Sequence, residues 1–256
     1  MSYASAVGRP LSALGAFFAM SLDCAVLMFK PPWAWREFLL QTWFVARVSI
    51  VPTLMLAIPF TVLTVFTLNI LLIEFGAADL SGSGAASAVV TQTGPIVTVL
   101  VVAGAAATAM CADLGSRTIR EELDALRVLG VNPIQTLVVP RVLAATIVAA
   151  SLVPLVTIAG LVGAFFFSVF VQNVTPGAFA AGLTLLTDFS NVILAVTKGA
   201  LFGMAAALIA CFKGISVAGG PQGVGNAVNE TVVFSFMALF FINIVATAVF
   251  FSGPAI

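Results

Sequence analysis

Five long hydrophobic segments restrict what this chain can fold into. They cover approximately residues 47–73, 88–111, 134–171, 190–212 and 228–251. Each is long enough to supply the roughly 20 apolar residues with which an α-helix crosses a bilayer. Charged residues make up only 8% of the chain, against about 25% in a soluble domain, so the chain cannot cover itself with a water-facing surface. The sequence therefore predicts an all-α integral membrane protein with five transmembrane helices.

The region before the first segment differs from the rest. Residues 10–29 are apolar apart from Asp23, and a carboxylate inside a span costs about 2.5–3.5 kcal/mol on insertion scales. We therefore favour a helix on the membrane surface, followed after the Pro31-Pro32 pair by a second one, although a crossing by 10–29 stays open. Tryptophans among basic residues are typical of an anchor at the lipid headgroups: Trp33, Trp35, Trp43, Lys30, Arg36 and Arg47. The predicted organisation is a surface region over 1–46 and a five-span core over 47–256.

Basic residues lie on one side of the predicted topology. Lys and Arg precede the first segment and recur around the second connection and in the fourth, whereas the connections 74–87 and 172–189 contain neither. Cytoplasmic loops carry the excess of Lys and Arg. We therefore expect a cytoplasmic N-terminus, cytoplasmic 113–133 and 213–227 regions, and a C-terminus outside the cytoplasm.

One short polar stretch between the second and third segments holds a large share of the charge. The chain has ten basic and ten acidic residues. Seven of them lie in this stretch: Asp113, Arg117, Arg120, Glu121, Glu122, Asp124 and Arg127.

The same stretch has the features of a short amphipathic helix. Thr118 and Glu121 have the spacing of a capping box, in which two side chains satisfy amides at a helix start. Gly130 suits the position just after a helix, and Pro133 suits a stop beyond it. Two pairs have the i,i+4 spacing of helical ion pairs: Arg117 with Glu121, and Arg120 with Asp124. We predict a helix that lies outside the bilayer.

Few patterns in the sequence support catalysis. His is absent, which removes the commonest metal ligand and general base near neutral pH. There is no phosphate-loop motif, and the glycine-rich run 219–225 favours a tight turn over a nucleotide site. Carboxylates set among arginines in 113–127 are typical of a solvated or protein-contacting face. We expect no metal site and no cofactor in this chain.

Two ionisable residues fall inside predicted spans, Lys198 in the fourth and Glu230 near the start of the fifth. Such residues are functional candidates because a charge in a membrane is costly. Both are candidates for lining a cavity. Alternatively, Lys198 extends its amine to the membrane surface and Glu230 lies at a helix start.

Two motifs resemble those of the MlaE/YrbE permease family. The first is Glu121-Glu122-Leu123-Asp124-Ala125-Leu126 with Leu129-Gly130-Val131-Asn132-Pro133, and the second is Cys211-Phe212-Lys213-Gly214 with the run 219–225. The similarity extends over approximately residues 36–251. Three further stretches resemble the actinobacterial YrbE subunits of Mce lipid transporters: Phe66-Thr67-Leu68-Asn69, Gly76-Ala77-Ala78-Asp79-Leu80-Ser81-Gly82 and Asn229-Glu230-Thr231-Val232-Val233.

The resemblance implies a function and a set of partners. Family members are membrane subunits of ABC-type lipid transporters in the plasma (inner) membrane, with N-terminal interfacial helices and five spans. The implied partners are an ABC ATPase subunit of the MceG or MlaF kind, a second YrbE-type permease in a heterodimer, and MCE-domain proteins on the outer side. ATP and Mg would bind the partner ATPase. The substrate would be a lipid (fatty acid, mycolic acid, sterol or phospholipid), and the chain is closer to the A-type subunit.

The resemblance also assigns residues. The 117–129 stretch would be the coupling helix that contacts the ATPase, with these charged residues: Arg117, Arg120, Glu121, Glu122, Asp124 and Arg127. The second motif supplies a cytoplasmic loop with Lys213, Gly214, Gly219, Gly220, Gly223 and Gly225.

Three other functions were weighed against this one. An ion-coupled secondary lipid transporter would use Lys198 or Glu230 in its coupling site. A membrane-embedded lipid-modifying enzyme is disfavoured by the absence of His and of clustered intramembrane nucleophiles. A scaffold without a transport role would use the amphipathic helix only as a protein dock.

Overall fold

A computed structural model describes residues 3–77 and 80–252. Ala78 and Asp79 of the YrbE-like stretch, and the C-terminal residues 253–256, lie outside these ranges. Within them the chain is helical and forms no strand. The helices are α1 (Tyr3–Leu27), α2 (Trp35–Glu74), α3 (Ser81–Ile119), α4 (Glu122–Val128), α5 (Ile134–Phe170), α6 (Pro176–Gly182), α7 (Phe189–Ile215) and α8 (Gly220–Ser252).

Five of these helices are long and apolar enough to cross a membrane: α2, α3, α5, α7 and α8. The prediction of an all-α integral membrane protein with five spans is confirmed. The described apolar part of α1, Ser12–Leu27, is shorter than these five helices. Its placement on the membrane surface stays a prediction.

The first spanning helix begins earlier than the sequence predicted. α2 is continuous from Trp35 to Glu74, and both Pro52 and Pro59 lie inside it without ending it. The second surface helix expected after the Pro31-Pro32 pair is therefore the first part of α2, and residue 46 lies inside a helix. α2 continues without a break through the basic and aromatic residues at its start, and the boundary at residue 46 between a surface region and a five-span core stays a prediction.

The centre of the bundle is α3. In its most apolar stretch 61% of the residues are buried, against 22% in α2 and 11% in α8. The largest buried cluster lies toward the end of the bundle that carries the α3–α4 and α7–α8 connections, and it joins α3, α5 and α7 with Cys24 of α1 and Val45 of α2. The apolar faces of α2 and α8 are left for lipid or for another chain.

Small residues bring α7 close to α5. A Cβ atom on Gly203 would lie 2.5 Å from Ala149 Cβ and 2.7 Å from Ala145 O, and one on Gly199 would lie 2.4 Å from Val153 Cγ2. Gly199 and Gly203 therefore serve packing within this chain, since small residues allow helix backbones to approach in a membrane.

We expect Gly203→Ala to destabilise the bundle, because the new methyl group would force α5 and α7 apart. Overpacking of this kind costs about 1–3 kcal/mol. Gly104→Ala is the matched control, since a Cβ there meets no atom within 4 Å. Thermal unfolding in detergent should show a lower midpoint for Gly203→Ala only. An unchanged midpoint for both variants would contradict this account of the contact.

Candidate functional site

The candidate site lies at the end of the bundle where α3 turns into α4. Glu121 separates the two helices and has a left-handed backbone, with φ 58° and ψ 19°. This conformation is uncommon for residues other than Gly and is strained by about 1–3 kcal/mol. The exposed helix therefore starts at a fixed bend.

The predicted capping box does not form. α3 continues through Thr118, whose Oγ1 donates to Leu114 O at 2.9 Å and to Gly214 O at 3.1 Å. α4 begins at Glu122, and no side chain caps its start. The prediction was wrong because Thr118 bonds to its own helix and to α7, which is a tertiary contact that local spacing does not reveal.

The ion pairs also differ from those predicted. The bend at Glu121 rotates α4 relative to α3, so neither Arg117–Glu121 nor Arg120–Asp124 forms a pair. The observed pairs are Arg117–Asp113 at 3.3 Å, Arg117–Glu122 at 4.0 Å, Arg120–Glu122 at 3.1 Å and Arg127–Asp124 at 2.7 Å.

Gly130 ends α4 as predicted. Its φ is 74°, its N–H donates to Arg127 O at 3.0 Å, and the N–H of Val131 donates to Leu126 O at 2.9 Å. These two bonds are those of a Schellman motif, which needs a left-handed residue that Gly supplies without strain. Both ends of α4 are thus set by left-handed residues.

α4 has an inner face and an outer face. Leu123 is buried and Leu126 packs against the main cluster. Asp124 and Arg127 face outward, and the apolar side chains of Val128 and Leu129 are 88% and 75% exposed. An exposed apolar pair beside charged residues is a surface suited to a protein partner.

A buried arginine joins three spanning helices beneath α4. The Arg141 side chain on α5 has no exposed surface; its Nη2 lies 2.5 Å from Asp113 Oδ2 on α3 and 3.7 Å from Glu37 Oε1 on α2. Its Nη1 donates to Leu137 O at 2.8 Å. A buried charge is stabilised only when it is paired and hydrogen-bonded, so this contact fixes the three helices to one another.

The ion pairs continue from the buried arginine to the surface. Asp113 contacts both Arg141 and Arg117, and Arg117 approaches Glu122 at the start of α4. Sequence reasoning used Arg141 only for topology and did not include Glu37 at all. The available signal was an arginine inside an otherwise apolar segment, with Asp113 at the end of another.

The second motif forms the adjacent turn. A Cβ on Gly214 would lie 2.8 Å from Leu114 Cβ, so this glycine lets α7 pack against α3. Gly219 in the turn before α8 and Gly220 at the first position of α8 have φ values of 78° and 69°, and a Cβ on Gly223 would lie 2.2 Å from Ala218 O. The turn predicted for this run is present, and Gly225 lies beyond it in α8 with open space around it.

Lys213 and Glu230 pair across this turn at 2.5 Å, and the Lys213 amine also lies 4.5 Å from the Phe234 ring centroid. Glu230 lies well inside α8, which begins at Gly220, so the helix-start alternative for Glu230 is wrong. A cleft of about 500 Å³ beside the pair is bounded by α1 and by the α7–α8 turn.

Lys198 lies away from this end of the bundle. It is fully buried, and its Nζ donates to Thr247 Oγ1 at 2.8 Å and to Thr91 O at 3.1 Å. Thr91 belongs to a π-helical turn of α3, Val89–Thr93, and such turns are frequent at functional sites. Among the described residues Lys198 is enclosed by α3, α7 and α8, so its amine does not extend to the membrane surface, and its role in lining a cavity stays a prediction.

Comparison with known proteins identifies the architecture. The family model of the permease MlaE matches residues 38–249. This chain belongs to the MlaE permease family. A probable ABC transporter permease protein of Synechocystis is 31% identical over 191 residues, which cover 74% of this chain and 73% of the relative. A probable ABC transporter permease protein of Rickettsia bellii is 26% identical over 251 residues, covering 95% and 94%.

A third relative comes from a plant. The chloroplastic protein TRIGALACTOSYLDIACYLGLYCEROL 1 of Arabidopsis thaliana is 30% identical over 162 residues, which cover 63% of this chain and 46% of the relative. Together these matches make the MlaE-family chain an ABC transporter permease subunit. It is a multi-pass membrane transport component rather than an enzyme, and its family implies an ATPase partner.

We expect Arg141→Met to lower the stability of this MlaE-family permease by about 1–3 kcal/mol, because it removes the buried cation that links the partly exposed carboxylates of Asp113 and Glu37. Adding Asp113→Asn should restore part of the loss. Arg127→Met is the matched control, since it breaks only an exposed pair worth about 0–1 kcal/mol. Thermal unfolding in detergent measures all three. An equal effect of Arg141→Met and Arg127→Met would contradict the role of Arg141.

Proposed function

We propose that this chain is the permease subunit of an ABC-type Mce lipid transport system, of the YrbE type and closer to its A form. A second YrbE-type permease completes the membrane part as a heterodimer, and MCE-domain proteins lie on the outer side. ATP and Mg bind to the partner ATPase, of the MceG or MlaF kind. The cargo is a hydrophobic lipid: fatty acid, mycolic acid, sterol or phospholipid. The chain lies in the plasma (inner) membrane with its N-terminus in the cytoplasm and its C-terminus outside.

The observation that carries the proposal is the attachment of α4. This helix is fixed at both ends by left-handed residues, presents Asp124 and Arg127 outward, and connects through Arg117 and Asp113 to the buried Arg141. A partner that moves α4 would therefore displace α2, α3 and α5 together, because all three contribute to the Arg141 contact. This is the property required of a coupling helix that receives work from an ATPase.

Two further observations support the pairing and the cargo. The faces of α2 and α8 are mainly unburied in the single chain, so a second permease has apolar surface to pack against. The Arabidopsis relative carries the name of a glycolipid, which favours a lipid cargo. Alternating opening of the interface between two permeases would then follow the ATPase cycle.

The ion-coupled alternative is less well supported. Homologues of this chain are named as ABC transporter permeases, and Glu230 is already paired with Lys213 at 2.5 Å. Lys198 remains a candidate for the polar part of a path shared with the second permease, since a buried amine without a carboxylate partner among the described residues is unusual.

We expect Glu121→Lys combined with Asp124→Lys to abolish coupling, because both side chains are exposed and like charges across a protein contact cost several kcal/mol. Lipid-stimulated ATPase activity of the assembled complex should fall by about tenfold or more. Membrane insertion of the variant should not change.

The matched control is Glu74→Lys combined with Asp188→Lys, which makes the same charge change at the opposite end of the bundle, where both residues are exposed. It should leave the stimulated activity at the level of the unmodified complex. Normal stimulation in the α4 variant would show that α4 is not the coupling helix.

A further inference from the structure

An apolar groove lies between the α1–α2 connection and the first turns of α5. Its volume is about 330 Å³, within the range of ligand pockets. The wall is almost entirely apolar, and Leu143 and Ile147 of α5 form its inner side. It is separate from α4, the glycine-rich turn and Lys198, none of which contributes to its lining.

Aromatic residues and one cation form the mouth of the groove. Trp33 and Trp35 are more than half exposed, with ring centroids 5.1 Å apart, and Phe38 packs edge-on against Trp35. Lys30 lies at the rim, is exposed, and pairs with no carboxylate among the described residues. The apolar groove suits the acyl chain of an anionic lipid. The tryptophans and the unpaired cation at its mouth suit the negatively charged headgroup.

The shape of the mouth is held by hydrogen bonds from α5. Gln135 Nε2 donates to Lys30 O at 2.9 Å and to Pro32 O at 3.2 Å. These bonds attach the α1–α2 connection to the start of α5, so the groove is already formed in the single chain and does not need a ligand to open it.

We propose that this groove binds an anionic glycerophospholipid of the surrounding membrane, with one acyl chain along Leu143 and Ile147 and the phosphate at Lys30. Tryptophan is enriched at the headgroup level of membranes, where its ring is apolar and its N–H is polar. Basic pockets beside spanning helices select anionic headgroups. The lining of the groove includes no residue of α4, so the proposal does not depend on the coupling role of α4.

The fluorescence of the chain's three tryptophans allows lipid binding in the groove to be measured directly. In a Trp43→Phe background, emission comes only from Trp33 and Trp35 at the mouth. The purified full chain in nanodiscs is titrated with brominated phosphatidylglycerol or with brominated phosphatidylcholine, which quench nearby indoles. We expect half-maximal quenching at about fivefold less phosphatidylglycerol than phosphatidylcholine, the preference that one cation near the membrane surface gives.

Two variants test the two halves of the site. Lys30→Gln should abolish the preference for phosphatidylglycerol, and Arg36→Gln is its control, since Arg36 is exposed nearby but does not line the groove. Leu143→Phe should weaken quenching by both lipids by filling the groove. Ile158→Phe, on an outward position of the same helix, should not.

Equal quenching by the two lipids would overturn the proposal and indicate ordinary bilayer contact. A preference for phosphatidylglycerol that survives Lys30→Gln, or that Arg36→Gln removes equally, would also overturn it, because the charge would then act across the surface rather than at the groove. Lys30→Gln alters only an exposed side chain, so it decides the question even where Leu143→Phe fails to fold.

Discussion

A buried guanidinium is the constraint on which this bundle depends. Arg141 has no access to solvent, and its charge is stabilised only while Asp113 and Glu37 stay in place. Each of the three residues belongs to a different spanning helix. The pairing therefore connects α2, α3 and α5 at one end of the bundle, next to the apolar cluster that these helices share.

This constraint links the membrane part of the molecule to its exposed part. Asp113 is shared between Arg141 and Arg117, and Arg117 reaches the first residue of α4. The packing of Leu123 and Leu126 and the Arg117–Glu122 contact together orient the outer face of α4, because helix propensity is weak in so short a helix. If α4 is the coupling helix that we propose, this arrangement would pass a force applied to α4 into the bundle.

The sequence predicted the features that depend on local chemistry. Hydrophobic segment length located the five spans, and Gly130 located the end of α4, because a left-handed residue there favours Gly. The predictions that were wrong, and the features that were missed, depend on contacts between residues far apart in the sequence. Thr118 could not be recognised as a partner of Gly214, and Arg141 could not be paired with Asp113 from spacing alone. The start of α2 was missed because a helix can continue beyond its most hydrophobic stretch without a break, as Trp35–Glu74 does.

We propose that this permease works as one part of an assembly that an ATPase drives. Affinity purification of the chain from its native host in mild detergent, with identification of the bound proteins by mass spectrometry, tests this most directly. The account predicts an ABC ATPase, a second permease of the same family and MCE-domain proteins. Recovery of the intact, fully extracted chain without an ATPase would contradict it.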